Sequence, residues 1–179
     1  MKVFMVTMAG GRDLVGSALG RRVSRKIQDH LTQSPTELSF EGAGVIDATF
    51  LREAMVRLVK MESPQREIVV SGLVEPDHLD NLTYVCLSLG QPVTVVNGGI
   101  FKCHGKALSR PLQDALDLIL NRKSLTSTQL AAASGGTVQC ASTNLKNIHR
   151  MGYVNRVKIH SESGGMECIY SPFGASLVH

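Results

Sequence analysis

The stretch that most constrains this 179-residue chain lies near its end, from Leu125 to Tyr170, where helix, turn and strand signals follow at close spacing. Leu125-Thr126-Ser127-Thr128-Gln129-Leu130 carries a helix start, with Thr126 as cap, Gln129 closing a capping box and Leu125 stapled onto Leu130. Ala131, Ala132 and Ala133 continue the helix until Gly135-Gly136 permits a sharp reversal through positive φ. Thr137 then caps a second helix in which Ala141, Leu145 and Ile148 recur at i, i+4 and i+7 on one face. The opposite face is polar, with Gln139, Thr143, Lys146 and Arg150 at helical spacing, Ser142 and Asn147 beside them, and no carboxylate among them. Gly152 ends that helix. Two strand-like runs follow, Arg156 to His160 and Met166 to Tyr170, joined by Ser161-Glu162-Ser163-Gly164-Gly165, a glycine-bearing tip that marks a hairpin. Upstream, Leu112, Ala115, Leu116, Ile119 and Leu120 make an apolar stripe, and Pro111 suits the first turn of its helix.

The run Ala141 to Val154, with Ser142-Thr143-Asn144 before Leu145-Lys146-Asn147-Ile148-His149-Arg150 and then Met151-Gly152-Tyr153, resembles the recognition helix and wing start of bacterial winged-helix regulators. The resemblance covers roughly residues 107 to 172 and implies binding to double-stranded DNA. The expected contacts are Gln139, Ser142, Thr143, Lys146, Asn147 and Arg150 on the helix, and Arg156, Lys158 and Gly164 on the hairpin. Amides and hydroxyls read base edges, whereas Lys and Arg neutralise phosphates. The competing use of such a module is protein interaction, with the polar face merely solvated. From Ala107 onward there are seven Lys and Arg against four Asp and Glu; residues 1–106 hold twelve against eleven. The excess sits where DNA would bind but is small, so a homodimer is expected to supply enough phosphate contacts.

An apolar content of 43% supports a core in each of two domains, 1–106 and 107–179. No apolar run spans a bilayer and no leader pattern opens the chain, which predicts a cytoplasmic protein without membrane contact. Cys86, Cys103, Cys140 and Cys168 lack metal-ligand spacing, so neither zinc nor disulfides are expected; Cys86, Cys140 and Cys168 read as small core or partly buried residues. Cys103-His104 is the one adjacent nucleophile and base, but sequence neighbours rarely acquire catalytic geometry, and nothing nearby offers an oxyanion cradle. No catalytic residue and no cofactor is expected. A GxxxxGKS phosphate loop is absent, and 4% aromatic content without Trp argues against a base-stacking single-strand binder.

The first hundred residues alternate strand and helix signals. Lys2 to Thr7 is β-prone, Gly10-Gly11 is a turn, and Leu19, Val23, Ile27 and Leu31 recur every fourth residue, with Arg21, Arg22, Arg25 and Lys26 on the exposed side, where they face solvent, DNA backbone or an acidic partner. Leu38 to Leu51 gives a strand, a glycine-bearing turn and a helix start at Asp47-Ala48-Thr49. The helix then carries Leu51, Met55, Leu58 and Val59 on one face and the Glu53–Arg57 pair on the other. Ile68 to Val70, Leu79 to Leu89 and Val93 to Val96 continue as strand, helix and strand. Asn97-Gly98-Gly99 turns into Ile100 to Cys103 before a linker at His104-Gly105-Lys106.

The segment Leu38 to Leu51 is similar to the strand and helix start of STAS domains, the fold of anti-sigma-factor antagonists. It is closer to the STAS-like family of unknown function, in which a Gly- and Arg-rich helix precedes the strand and a Phe follows the small residues, as at Gly16 to Arg22 and Thr49-Phe50-Leu51-Arg52-Glu53. The similarity spans roughly residues 10 to 97. It implies a mixed sheet covered by helices, and it makes Asp47 and Thr49 candidate regulatory residues. The antagonists carry a phosphoacceptor serine directly after the aspartate; here that position is Ala48, without a hydroxyl, which removes that phosphorylation route. Thr49 has a simpler use as a helix cap, and Asp47 as a turn residue.

These features predict an α/β STAS-like mixed sheet with helices, followed by an α+β winged helix-turn-helix domain. The expected function is a DNA-binding transcriptional regulator whose N-terminal domain dimerises or senses a protein partner. The alternative is a STAS-type signalling adaptor that binds proteins and uses its winged helix as an interaction module.

Overall fold

The computed structural model describes residues 1–31, 35–63, 66–160 and 165–177. The N-terminal half is a five-stranded mixed sheet in the order β1 (Lys2–Phe4), β2 (Thr36–Ser39), β3 (Ile68–Ser71), β4 (Val93–Asn97), β5 (Ile100–His104). The first four strands are parallel and β5 returns antiparallel to β4. Gly98 and Gly99 hold φ of 56° and 78°, the two positive values a tight two-residue hairpin loop requires.

Register places Val3, Leu38, Val70 and Val95 in one row across the sheet. That face is covered by α2 (Ser17–His30), by α3 (Ala48–Leu51) running through a π-helical stretch (Arg52–Val56) into α4 (Arg57–Glu62), and by α5 (Pro76–Leu89). Val23 and Ile27, Leu51 and Met55, and Leu82 and Val85 join the strand valines in one core. Each helix stands between consecutive parallel strands, so right-handed crossovers put all of them on the same side.

Three local expectations change. The β-prone run stops at Phe4, because Met5–Ala9 winds into a short helix, α1, that buries Met5 and ends on Gly10 at φ 78°. Asp47, not Thr49, caps α3: Asp47 Oδ1 accepts from Phe50 N at 2.6 Å and from the Thr49 hydroxyl at 3.0 Å, while Oδ2 accepts from Gly16 N at 2.9 Å. Glu53 does not face solvent, for the π stretch turns it against α2, where it is buried.

The C-terminal half packs α6 (Arg110–Arg122), α7 (Ser127–Ser134) and α8 (Val138–Arg150) around Leu116, Ile119, Leu130, Leu145 and Ile148. The strands β6 (Leu125–Thr126), β7 (Asn155–His160) and β8 (Met166–Ser171) form a second, antiparallel sheet in the order β6-β8-β7. Among the described residues no helix is long and apolar enough to cross a membrane.

The far side of the five-stranded sheet is where the halves meet. Phe101 and Cys103 of β5 lie toward α6, and Gly174 sits so close to Val69 that an added Cβ would come within 2.8 Å of its Cγ1. Glu67, just before β3, accepts from Asn155 Nδ2 at 2.6 Å and from Gly174 N at 3.0 Å, gripping both feet of the β7–β8 pair. His104-Gly105-Lys106 is therefore a packed junction: His104 is 6% exposed, a Cβ on Gly105 would meet Pro92 Cβ at 2.9 Å, and the Tyr153 hydroxyl donates to the Lys106 carbonyl at 2.5 Å.

Candidate nucleic-acid interface

The α7–turn–α8 unit is built by its caps. Gln129 N donates to Thr126 Oγ1 at 3.3 Å and Thr126 N donates to Gln129 Oε1 at 3.0 Å, the reciprocal box that spends two helix-terminal donors. Gly135 closes α7 at φ 66°, and Thr137 caps α8 by accepting from Cys140 N at 3.2 Å. Ala141, Leu145 and Ile148 then anchor α8 to the core with at most 4% exposure, which fixes its opposite side outward.

Gln139, Thr143, Lys146 and Arg150 occupy the crest of that outward side, all exposed. Thr143 donates its hydroxyl proton to the Gln139 carbonyl at 3.0 Å, so toward a ligand it presents an acceptor oxygen and a methyl group. Ser142 and Lys146 turn toward the β7–β8 pair and line a groove of about 700 Å3 with Gly165, Met166, Glu167 and Cys168 and the start of α7. Asn147 is half-buried on the opposite flank, away from the groove.

In β7, Arg156 is opposite Tyr170 and Lys158 is opposite Cys168. Paired residues share a face of the sheet, so both cations are on the same face as Tyr170 and Cys168, beside the groove and not among the residues that line it. The Tyr170 hydroxyl is held above its usual range by burial, against the pull of the Arg156 guanidinium bonded to it. Gly164 lies outside the described residues.

Several groove residues, Val138 and Met166 among them, had no individual signal in the sequence. Val138 and Met166 are exposed at 50% and 60% and stand among the groove-lining residues. Thr126, Ser127 and Thr128 put hydroxyls and the α7 N-terminus at one end of the groove. His149 bonds Val154 O through Nδ1 at 3.0 Å and meets Tyr170 edge-on at 6.4 Å, tying α8 to the sheet. The cross-strand register would have revealed the Met166 and Cys168 placement, but pairing depends on a hairpin length that sequence periodicity leaves open.

Cys140 is exposed at the start of α8 rather than buried. Cys103 and His104 lie on opposite faces of β5, and burial pushes the Cys103 thiol up to about 11, so imidazole and thiol do not form a couple. Among the described residues no three His, Cys, Asp or Glu side chains gather in a metal-ligating group. Asp47 and Thr49 sit beside Gly16, about the cap of α3, separate from the α8 groove. No protein-family model matches the chain, and no curated protein matches it.

Proposed function

We propose that this chain is a DNA-binding transcriptional regulator in which residues 107–179 act as a winged helix-turn-helix and residues 1–106 as a STAS-like domain that holds a homodimer together. The observation that carries the proposal is the carboxylate-free crest of α8, Gln139, Thr143, Lys146 and Arg150, beside a strand pair that bears Arg156 and Lys158, with Glu167 the one carboxylate lining the groove between them. An α-helix of this kind fits the major groove of B-DNA, with amides and hydroxyls on base edges and cations on phosphates. Lys146 and Arg150 are assigned to the backbone or to guanine, Gln139, Ser142 and Thr143 to bases, and Arg156 and Lys158 to the flanking phosphates. Asn147, on the far flank, takes a lesser part.

A gel shift at low salt on random duplex DNA tests the proposal. Lys146→Ala and Arg150→Ala are each expected to weaken binding and to reduce the salt slope by about one unit for each phosphate no longer neutralised. Gln139→Ala is expected to relax preference among sequences by roughly 1 to 3 kcal/mol at one base pair. No binding by the intact chain at any salt would instead favour the protein-adaptor use of the same surface.

A further inference from the structure

The buried carboxylate of Glu53 is the most unusual charge in the N-terminal half. It sits in the π-helical stretch, where Arg57 N–H donates to the Arg52 carbonyl five residues back. In an α-helix two residues five apart would diverge by about 140°. Here both arginines converge on one carboxylate: Arg52 Nε lies 3.0 Å from Glu53 Oε1 and Arg57 Nη1 lies 2.7 Å from Oε2. The Glu53 side chain is 4% exposed, while those of Arg52 and Arg57 are 40% and 54% exposed. The acid is thus inside and the guanidinium groups are outside, each with N–H donors left over.

Gly20 makes this possible, because a Cβ there would meet Glu53 Cβ at 2.9 Å and Phe50 O at 3.1 Å. The missing side chain lets α2 close over Glu53. Arg21 follows Gly20 directly and Arg25 lies one turn on; both are exposed and carry no ion pair among the described residues. Arg52, Glu53 and Arg57 together leave one net positive charge, and Arg21 and Arg25, about 100° and 140° round α2 from Gly20, add two on the neighbouring helix, where Asp29, one turn beyond Arg25, is the next carboxylate. An apolar residue at position 53 would pack without the cost of desolvating a carboxylate. A carboxylate that braces two guanidinium groups from behind does something packing does not: it fixes their forks for a bidentate anion. π stretches are also concentrated at functional sites.

We propose that the seam between α2 and the π stretch is a phosphate-binding site, with Arg52 and Arg57 gripping phosphoryl oxygens and Arg21 and Arg25 contacting those adjacent. The phosphate belongs either to the backbone of bound DNA or to a free phosphorylated small molecule. Full-length protein is titrated with inorganic pyrophosphate by calorimetry at constant ionic strength, and with duplex DNA over a salt series. Two variants are compared: Arg21→Gln with Arg25→Gln, which disturbs no partnered group, and Arg52→Gln with Glu53→Gln and Arg57→Gln, which leaves no unpaired buried charge.

The expected result is pyrophosphate binding that weakens by about tenfold or more in either variant, as the removal of one charge-assisted hydrogen bond or more requires. A DNA salt slope reduced in the same variants identifies the backbone as the source; an unchanged slope with abolished pyrophosphate binding identifies a free phosphorylated ligand. Lys146→Ala with Arg150→Ala should leave pyrophosphate binding intact, which separates this site from α8. The proposal is overturned if wild-type protein does not bind pyrophosphate and neither variant alters the DNA slope, or if pyrophosphate binding follows the α8 variant instead.

Discussion

The same five strands present two different faces. Toward the helices they offer Val3, Leu38, Val70 and Val95 in an unbroken aliphatic row, sealed by elements drawn from the intervening crossovers. Toward the other side they offer a mixed surface, with Lys2, Glu37, Ser39, Ser71 and Thr94 interspersed with Phe4, Val69, Val96 and Phe101, and Lys2 Nζ to Glu37 Oε1 at 3.1 Å and Ser71 Oγ to Glu37 Oε1 at 2.5 Å among its contacts. Part of that second face is a hollow of about 490 Å3 lined by both polar and apolar residues, Leu177 among them; another part lies under α6, Phe173 and Gly174. The first face is held by apolar burial and the second by a few specific contacts between the halves. Damage to one should therefore be global, and damage to the other should loosen a docked element.

The largest effect is expected for Gly72→Ala, directly after β3. Gly72 has φ 75° and an added Cβ would lie 2.5 Å from Glu41 N, so neither the conformation nor the space admits a side chain. A destabilisation of about 4 kcal/mol follows from strain plus overpacking. Urea denaturation checks it, and a change below about 1 kcal/mol would mean that the strand ends yield more than a packed sheet does.

Glu67→Ala should cost less, about 2 kcal/mol, because it leaves Asn155 Nδ2 and Gly174 N without their charged acceptor. Hydrogen exchange should quicken in Asn155–His160 and Met166–Ser171 while the amides of α2 stay protected. Equal acceleration in both places would erase the contrast between the two faces.

The smallest effect is a pH dependence at His104, where the halves join. Thr83 donates to the Leu79 carbonyl, so it accepts from His104 Nδ1–H at 2.9 Å; Nε2 is then a buried, unpartnered acceptor. Burial first, and then the Lys102 charge, lower the imidazole pKa. The unfolded chain binds the proton more readily, so stability is full above about pH 6.5 and declines as the pH falls below it. His104→Gln should flatten that decline in thermal melts between about pH 7 and pH 5. An unchanged slope would assign the dependence to another group.

The caps and the two-residue turns were legible in the sequence because their chemistry is local. Thr126, Gln129, Thr137, Gly135 and Gly98-Gly99 each satisfy backbone groups within four residues of themselves. The α8 stripe was equally plain, since one buried face sets the direction of the other. Glu53 was not. Its i, i+4 spacing to Arg57 reads as a surface pair on any regular helix, and only the π stretch turns it inward. Met5–Ala9 escaped because Val6 and Thr7 continue the β-prone run of Lys2–Phe4, whereas the helix-forming Met5, Met8 and Ala9 and the burial of Met5 go with a helical turn. The Glu67 contacts escaped for another reason: nothing in the local sequence says that position 67 will find positions 155 and 174.

Those separations, 88 and 107 residues, have a consequence in time. At a synthesis rate of about 5 to 20 residues per second, roughly 5 to 20 seconds pass between the appearance of Glu67 and that of its last partner. For that interval the far face of the sheet has no cover from Gly174. Until then Val69 stands uncovered on that face, between Glu37 on β2 and the polar Ser71 two residues on, so the apolar patch left open while the chain is made is small. The last residues to be made thus cap a valine that the sheet has held among polar neighbours since β3 was complete.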